Sequence, residues 1–139
     1  MPLDSHEPSV SDQPSPQQQA FIWWVIWFAI LSGSILIYVM LGLKGGRPTP
    51  AATAPLAFVG VGPLVISVVL RWLVIPRVTE RKRGLTVFVT GLALAEGATI
   101  LATFLGSGTA RDAIAVAGIA GVALWAPVFA AGIIAAEQR

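Results

Sequence analysis

The chain has 139 residues, 55% of them hydrophobic and 12% charged, with a formal net charge of +2. Soluble domains carry about 25% charged residues, so there is too little polar side chain here to cover a globule in water, and the mean hydropathy is +0.78. The small charge gives no nucleic-acid-binding face, and the lack of cysteine excludes disulfide scaffolds, thiolate metal sites and cysteine nucleophiles.

Residues 1–20 form the first region. They hold Pro2, Pro8, Pro14 and Pro16 with the acids Asp4, Glu7 and Asp12, and no Lys or Arg. Such a stretch buries too little apolar surface to offset its ordering entropy, and a disordered polar tail is expected. It lacks the positive charge of a signal-peptide n-region, so the apolar run after it is expected to be retained. His6, the sole histidine, lies in this tail and is a poor base or metal ligand.

Four apolar segments follow, at about 21–43, 56–75, 85–105 and 113–136. Crossing a bilayer takes about 20 apolar residues at about 1.5 Å each. Continuous apolar runs without period-two alternation select helices over barrel strands. The expected fold is an all-α membrane protein, four transmembrane helices in an antiparallel up-down bundle behind a tail. Lys44, Gly45, Gly46, Arg47 and Pro48 break the first connection. The second, 76–84, carries Arg77, Glu80, Arg81, Lys82 and Arg83, and the third is Gly106, Ser107, Gly108 and Thr109. Connections this short make sequential helices antiparallel neighbours.

Positive charge sets the orientation. Arg77, Arg81, Lys82, Arg83 and Arg139 fall on one side, and Lys44, Arg47 and Arg111 on the other. The bias puts the second loop and both termini in the cytoplasm of a multi-pass inner (plasma) membrane protein. Trp23, Trp24 and Trp72 then fall at the inner interface, where aromatic side chains anchor.

One carboxylate breaks the apolar pattern. Glu96 lies eleven residues beyond Leu85, about 16 Å into its helix and close to the bilayer midplane. A charge there costs about 2.5–3.5 kcal/mol on insertion scales, so the side chain should face protein or water. Thr99 and Thr103 share its helical face; their hydroxyls can bond the carboxyl group or back-bond to their own helix. Either the acid is neutral, or a cation holds it as a carboxylate. The cation within the helices is Arg71, offset from Glu96 by about 9 Å along the axis. Glu96, Thr99, Thr103 and Arg71 are therefore the candidate ion- or proton-binding residues.

The run Gly91-Leu92-Ala93-Leu94-Ala95-Glu96-Gly97-Ala98-Thr99-Ile100, continuing to Phe104 and Leu105, resembles the carboxylate helix of the rotary ATPase proteolipid, subunit c. That family is a helical hairpin with a polar cytoplasmic loop and one ion-carrying acid on its second helix. The resemblance implies that Glu96 is a proton or cation site on a hairpin made by the second and third segments. As a whole, the chain resembles small four-span bacterial membrane proteins.

Small residues point to helix contacts: Ser32, Gly33 and Ser34 in the first segment, and Ala117, Gly118, Ala120 and Gly121 in the fourth. Pro63 and Pro127 mark kinks, while Tyr38 and Trp125 show no partner in the sequence. There is no phosphate-binding loop, hydrolase motif or cofactor signature. The expected role is non-enzymatic, without cofactor or metal. The expected partners are the lipid bilayer and a second copy or a larger membrane complex, and not nucleic acid. The alternative role is a proton- or cation-translocating subunit built on Glu96.

Overall fold

The computed structural model describes residues 15–43, 58–106 and 108–137. Most of the expected tail and the whole first loop lie outside them. Among the described residues every regular element is helical. Helix α1 is Pro16–Ile37, running on through a π-helical turn, Tyr38–Leu43. Helix α2 is Val61–Val69, extended by a π-helical turn, Leu70–Val74, and a 3₁₀ turn, Ile75–Arg77. Helix α3 is Arg81–Leu105, α4 is Gly108–Leu124 and α5 is Ala130–Glu137.

Among the described residues, three helices are long and apolar enough to cross a membrane: Gln17–Gly42, Phe58–Arg77 and Arg81–Leu105. The fourth apolar segment, expected as one helix over 113–136, starts earlier, at Gly108, and is broken between α4 and α5. Pro127 explains the break, because it has no N–H to donate and its ring clashes with the preceding turn. Gly108 opens α4 at φ +62°, a left-handed conformation that glycine adopts without Cβ strain.

The first helix also begins before the apolar run, inside the stretch expected as tail. Ser15 caps it: its Oγ accepts from the Gln18 N–H at 3.3 Å, and Gln18 Oε1 accepts from the Ser15 N–H at 2.9 Å. Pro16 at the first helical position loses nothing, since that N–H has no intrahelical acceptor.

Helix α3 is the centre of the bundle. It buries Gly84, Phe88, Gly91, Ala95, Ala98 and Ala102, a 4-3-4-3-4 spacing that keeps one seam against neighbouring helices. Small residues on that seam let the other backbones approach, and in lipid this packing holds helices together, since the hydrophobic effect does not. A Cβ at Gly60 would stand 2.9 Å from the Ala98 carbonyl, and one at Gly121 2.8 Å from Leu64. Ser67 bonds Gly91, so α2 passes α3 antiparallel, from Gly60 at Ala98 to Ser67 at Gly91. Helix α1 runs parallel to α3, with Trp23 at Gly84 and Gly33 at Glu96.

The core between them is aromatic. Trp23 and Phe88 have ring centroids 5.0 Å apart, and Phe88 meets Phe129 at 5.9 Å and Trp125 at 6.1 Å, the latter two edge-on. Trp23 is only 2% exposed, so it belongs to this core and is not an interfacial anchor. Trp24 and Trp72 do stand exposed on the outer surface. They share it with Phe21, Phe28, Leu36 and Phe104, an apolar face far beyond what a water-facing monomer carries. The protein is membrane-embedded.

Candidate functional site

Glu96 is half-buried on α3, beside the buried pair Ala95 and Ala98. Its Oε1 lies 3.9 Å from the point where a side chain on Gly33 of α1 would begin. A glycine there leaves the carboxyl group room against the α1 backbone. Among the described residues Glu96 makes no hydrogen bond and no ion pair. Ala93 and Gly97, one turn apart on the same helix, flank it. Ala93 is exposed, and a Cβ added to Gly97 would meet nothing within 4 Å. The chain thus leaves a polar group and an open small-residue face side by side at mid-helix.

The residues grouped with Glu96 on sequence grounds do not gather around it. Thr99 is fully buried and turned toward α4, where its hydroxyl is shared between Ala95 O at 3.4 Å and Ala115 O at 3.3 Å. Gly118 makes that contact possible, since a Cβ there would stand 2.3 Å from Thr99 Oγ1. The Thr103 hydroxyl donates to Thr99 O at 2.7 Å. Both threonines therefore back-bond to their own helix, the alternative open to hydroxyls in an apolar setting.

Arg71 is elsewhere again. It projects from the π-helical turn after α2, and its Nε donates to Leu124 O at 3.1 Å. The guanidinium carbon lies 4.6 Å from the Phe129 ring centroid and 5.9 Å from that of Trp125. The side chain thus cannot serve Glu96; it closes the end of α4. The last carbonyls of a helix lack intrahelical donors and carry partial negative charge. Here Leu124 receives Arg71, while the Trp27 Nε1–H donates to Val122 O at 2.9 Å. Cation–π attraction to Phe129 adds to the hold on the guanidinium.

The broken segment is pinned from its other side by Trp125. Its Nε1–H donates to Ser67 Oγ at 2.8 Å, and the Ser67 hydroxyl donates to Gly91 O at 2.7 Å. The indole packs directly against α3 because position 91 has no side chain: a Cβ there would be 2.0 Å from Trp125 Cζ2. Sequence reasoning left Trp125 without a partner. The signal was present in Ser67, a lone hydroxyl in the apolar run before Arg71, and in Trp125 standing two residues before Pro127. The break between α4 and α5 is thus held from other elements: Trp27 of α1 meets Val122 O, Arg71 from the turn after α2 meets Leu124 O, and Ser67 of α2 holds the Trp125 indole.

The described residues contain no group of three or more His, Cys, Asp or Glu that could hold a metal ion. Glu96 supplies a single carboxyl group, and the α4 carbonyls that could face a cation are met by Arg71 and Trp27. No protein-family model, no curated protein and no solved structure matches the chain.

Proposed function

We propose that the chain is a non-enzymatic subunit of a membrane assembly, in which Glu96 meets a group supplied by a second copy or another subunit. The observation that carries this is the unpartnered Glu96 beside the open Ala93–Gly97 face. A polar group left unpaired in hydrocarbon costs several kcal/mol by transfer scales of about 2–7 kcal/mol, and small residues one turn apart are what close helix approach uses. In this reading the chain crosses the membrane four times. Helices α4 and α5 supply about 25 Å and about 12 Å of helix across a hydrocarbon core of about 30 Å. The basic connection with Arg77, Arg81, Lys82 and Arg83 is cytoplasmic, as are both termini, in the inner (plasma) membrane.

Glu96→Gln and Glu96→Ala test it. Glutamine keeps a hydrogen-bonding end of similar size, so the assembly should persist in mild detergent. Alanine removes it, and an intramembrane hydrogen bond worth about 0.6–2 kcal/mol translates into a several-fold rise in dissociation. Equal assembly of wild type and both variants would sink the proposal.

The resemblance to the proteolipid helix supports a second reading, a proton- or cation-translocating subunit with the ion at Glu96. Its specific observation is the room at Gly33 before the carboxyl oxygen. Under this reading Glu96→Gln assembles normally but abolishes ion flux into proteoliposomes, and a dicarbodiimide labels Glu96 in the wild type. Unchanged flux in Glu96→Gln would rule it out.

A further inference from the structure

At the end of the bundle that carries the 78–80 connection, α2 with its turns and α3 leave a groove of about 660 Å³ between them. Val69, Leu73, Val78 and Val87 give it apolar lining, and Arg77 and Arg83 line it as well. We propose that this groove holds one acidic phospholipid, its phosphate on the two guanidinium groups and an acyl chain along the valines.

The chemistry is ordered by depth. Arg77 closes the apolar span Phe58–Arg77, and Val69 lies eight residues inside it, about 12 Å along the axis. On α3, Val87 lies four residues inside Arg83, about 6 Å. Charge at the membrane edge with apolar wall below it is the layout of a phospholipid, head and chain. Arg77 spends one donor, Nη1, on Leu73 O. Arg83 faces Glu80 at 3.6 Å, with both side chains mostly exposed at 79% and 69%, a pairing weak enough to yield to a phosphate. A guanidinium has five N–H donors in a planar fork that matches phosphate oxygens. Together Arg77, Arg83 and Glu80 leave a net positive charge, which favours an anionic headgroup over a zwitterionic one. A free phosphate ion would use the arginines and gain nothing from the valine walls. Basic pockets between helices at a membrane edge are a recognised headgroup-binding arrangement.

The full chain in micelles containing equal amounts of phosphatidylglycerol and phosphatidylcholine provides the test, with bound lipid read by native mass spectrometry. The wild type should retain phosphatidylglycerol preferentially. Taking about fivefold in affinity for each basic group that meets the headgroup phosphate, Arg77→Gln with Arg83→Gln should cut that preference about 25-fold. Val87→Trp, which fills the groove and keeps the charges, should lower retention of the lipid. Lys82→Gln, an exposed cation lining a separate cavity with Gln19 and Trp23, should leave the preference unchanged. Equal retention of the two lipids by the wild type would overturn the proposal. So would an equal loss in Lys82→Gln, which makes the effect general surface charge, or displacement of the lipid by excess inorganic phosphate. Should Val87→Trp fail to assemble, the exposed arginine pair still decides.

Discussion

Gly91 matters because of what lies on it. The Trp125 ring occupies the space a side chain would need, with Cζ2 at 2.0 Å from the Cβ position. Gly91→Ala must therefore displace the indole and pull its N–H off Ser67. Overpacking of this kind costs about 1–3 kcal/mol, and tryptophan fluorescence should shift with it. Gly132→Ala is the control, because a Cβ there meets nothing within 4 Å, and alanine improves helix propensity by up to about 1 kcal/mol. Denaturant unfolding in detergent separates the two. Equal stabilities would show that Trp125 does not sit on Gly91. Glu96 was legible from the sequence as an oddity, since one carboxyl group in an apolar run is costly wherever it points. Its surroundings were not legible. Thr99 lies three residues on, and that rotation of the helix is enough to send its hydroxyl to Ala115 on α4. Whether two residues on one helical face meet depends on which neighbouring helix each faces, and a single sequence does not carry that.

Helix positions were read from apolar runs, and runs set where a helix can lie in lipid better than where it starts and stops. Residues 21, 85 and 105 bracket apolarity, whereas α1 starts at Pro16 because Ser15 and Gln18 form a capping box. The motif was visible as Ser-Pro-Gln-Gln and was hidden by the polar composition around it. Ser15→Ala should cost about 1 kcal/mol, seen as faster amide hydrogen exchange at residues 17–19 with the rest of α1 unchanged. Uniform exchange along α1 in both proteins would contradict the cap. The fourth segment was missed in the opposite way. Its composition is continuous, but Pro127 breaks it, and the break is tolerable only with donors brought from other helices. Arg71 is the charged one. Arg71→Met should leave Leu124 O without its donor and cost about 1.5–3 kcal/mol, the range for hydrogen bonds to charged groups. Arg71→Lys should recover only part, because an ammonium lacks the planar fork that reaches the carbonyl while stacking on Phe129. Thermal unfolding of the three proteins in one detergent ranks them, and a wild-type stability for Arg71→Met would remove the capping role.

At the scale of the molecule, apolarity settles the membrane setting. Charge distribution supports the sidedness, carried mostly by one connection. Reporter fusions after residue 139 should read cytoplasmic, and a fusion in the 44–57 connection should read external. Arg111, on the opposite side, weighs little against this, because it is paired with Asp112 at 2.9 Å. A periplasmic C-terminus would reverse the orientation. Glu96 is proposed to find its partner on another chain. The most direct test is the mass of the particle drawn from its own membrane in mild detergent, for wild type and Glu96→Ala. The wild-type particle should be larger than one chain of 14.6 kDa, and Glu96→Ala should dissociate it in part with the helical content unchanged. A single chain in both samples, with no second protein bound, would contradict it.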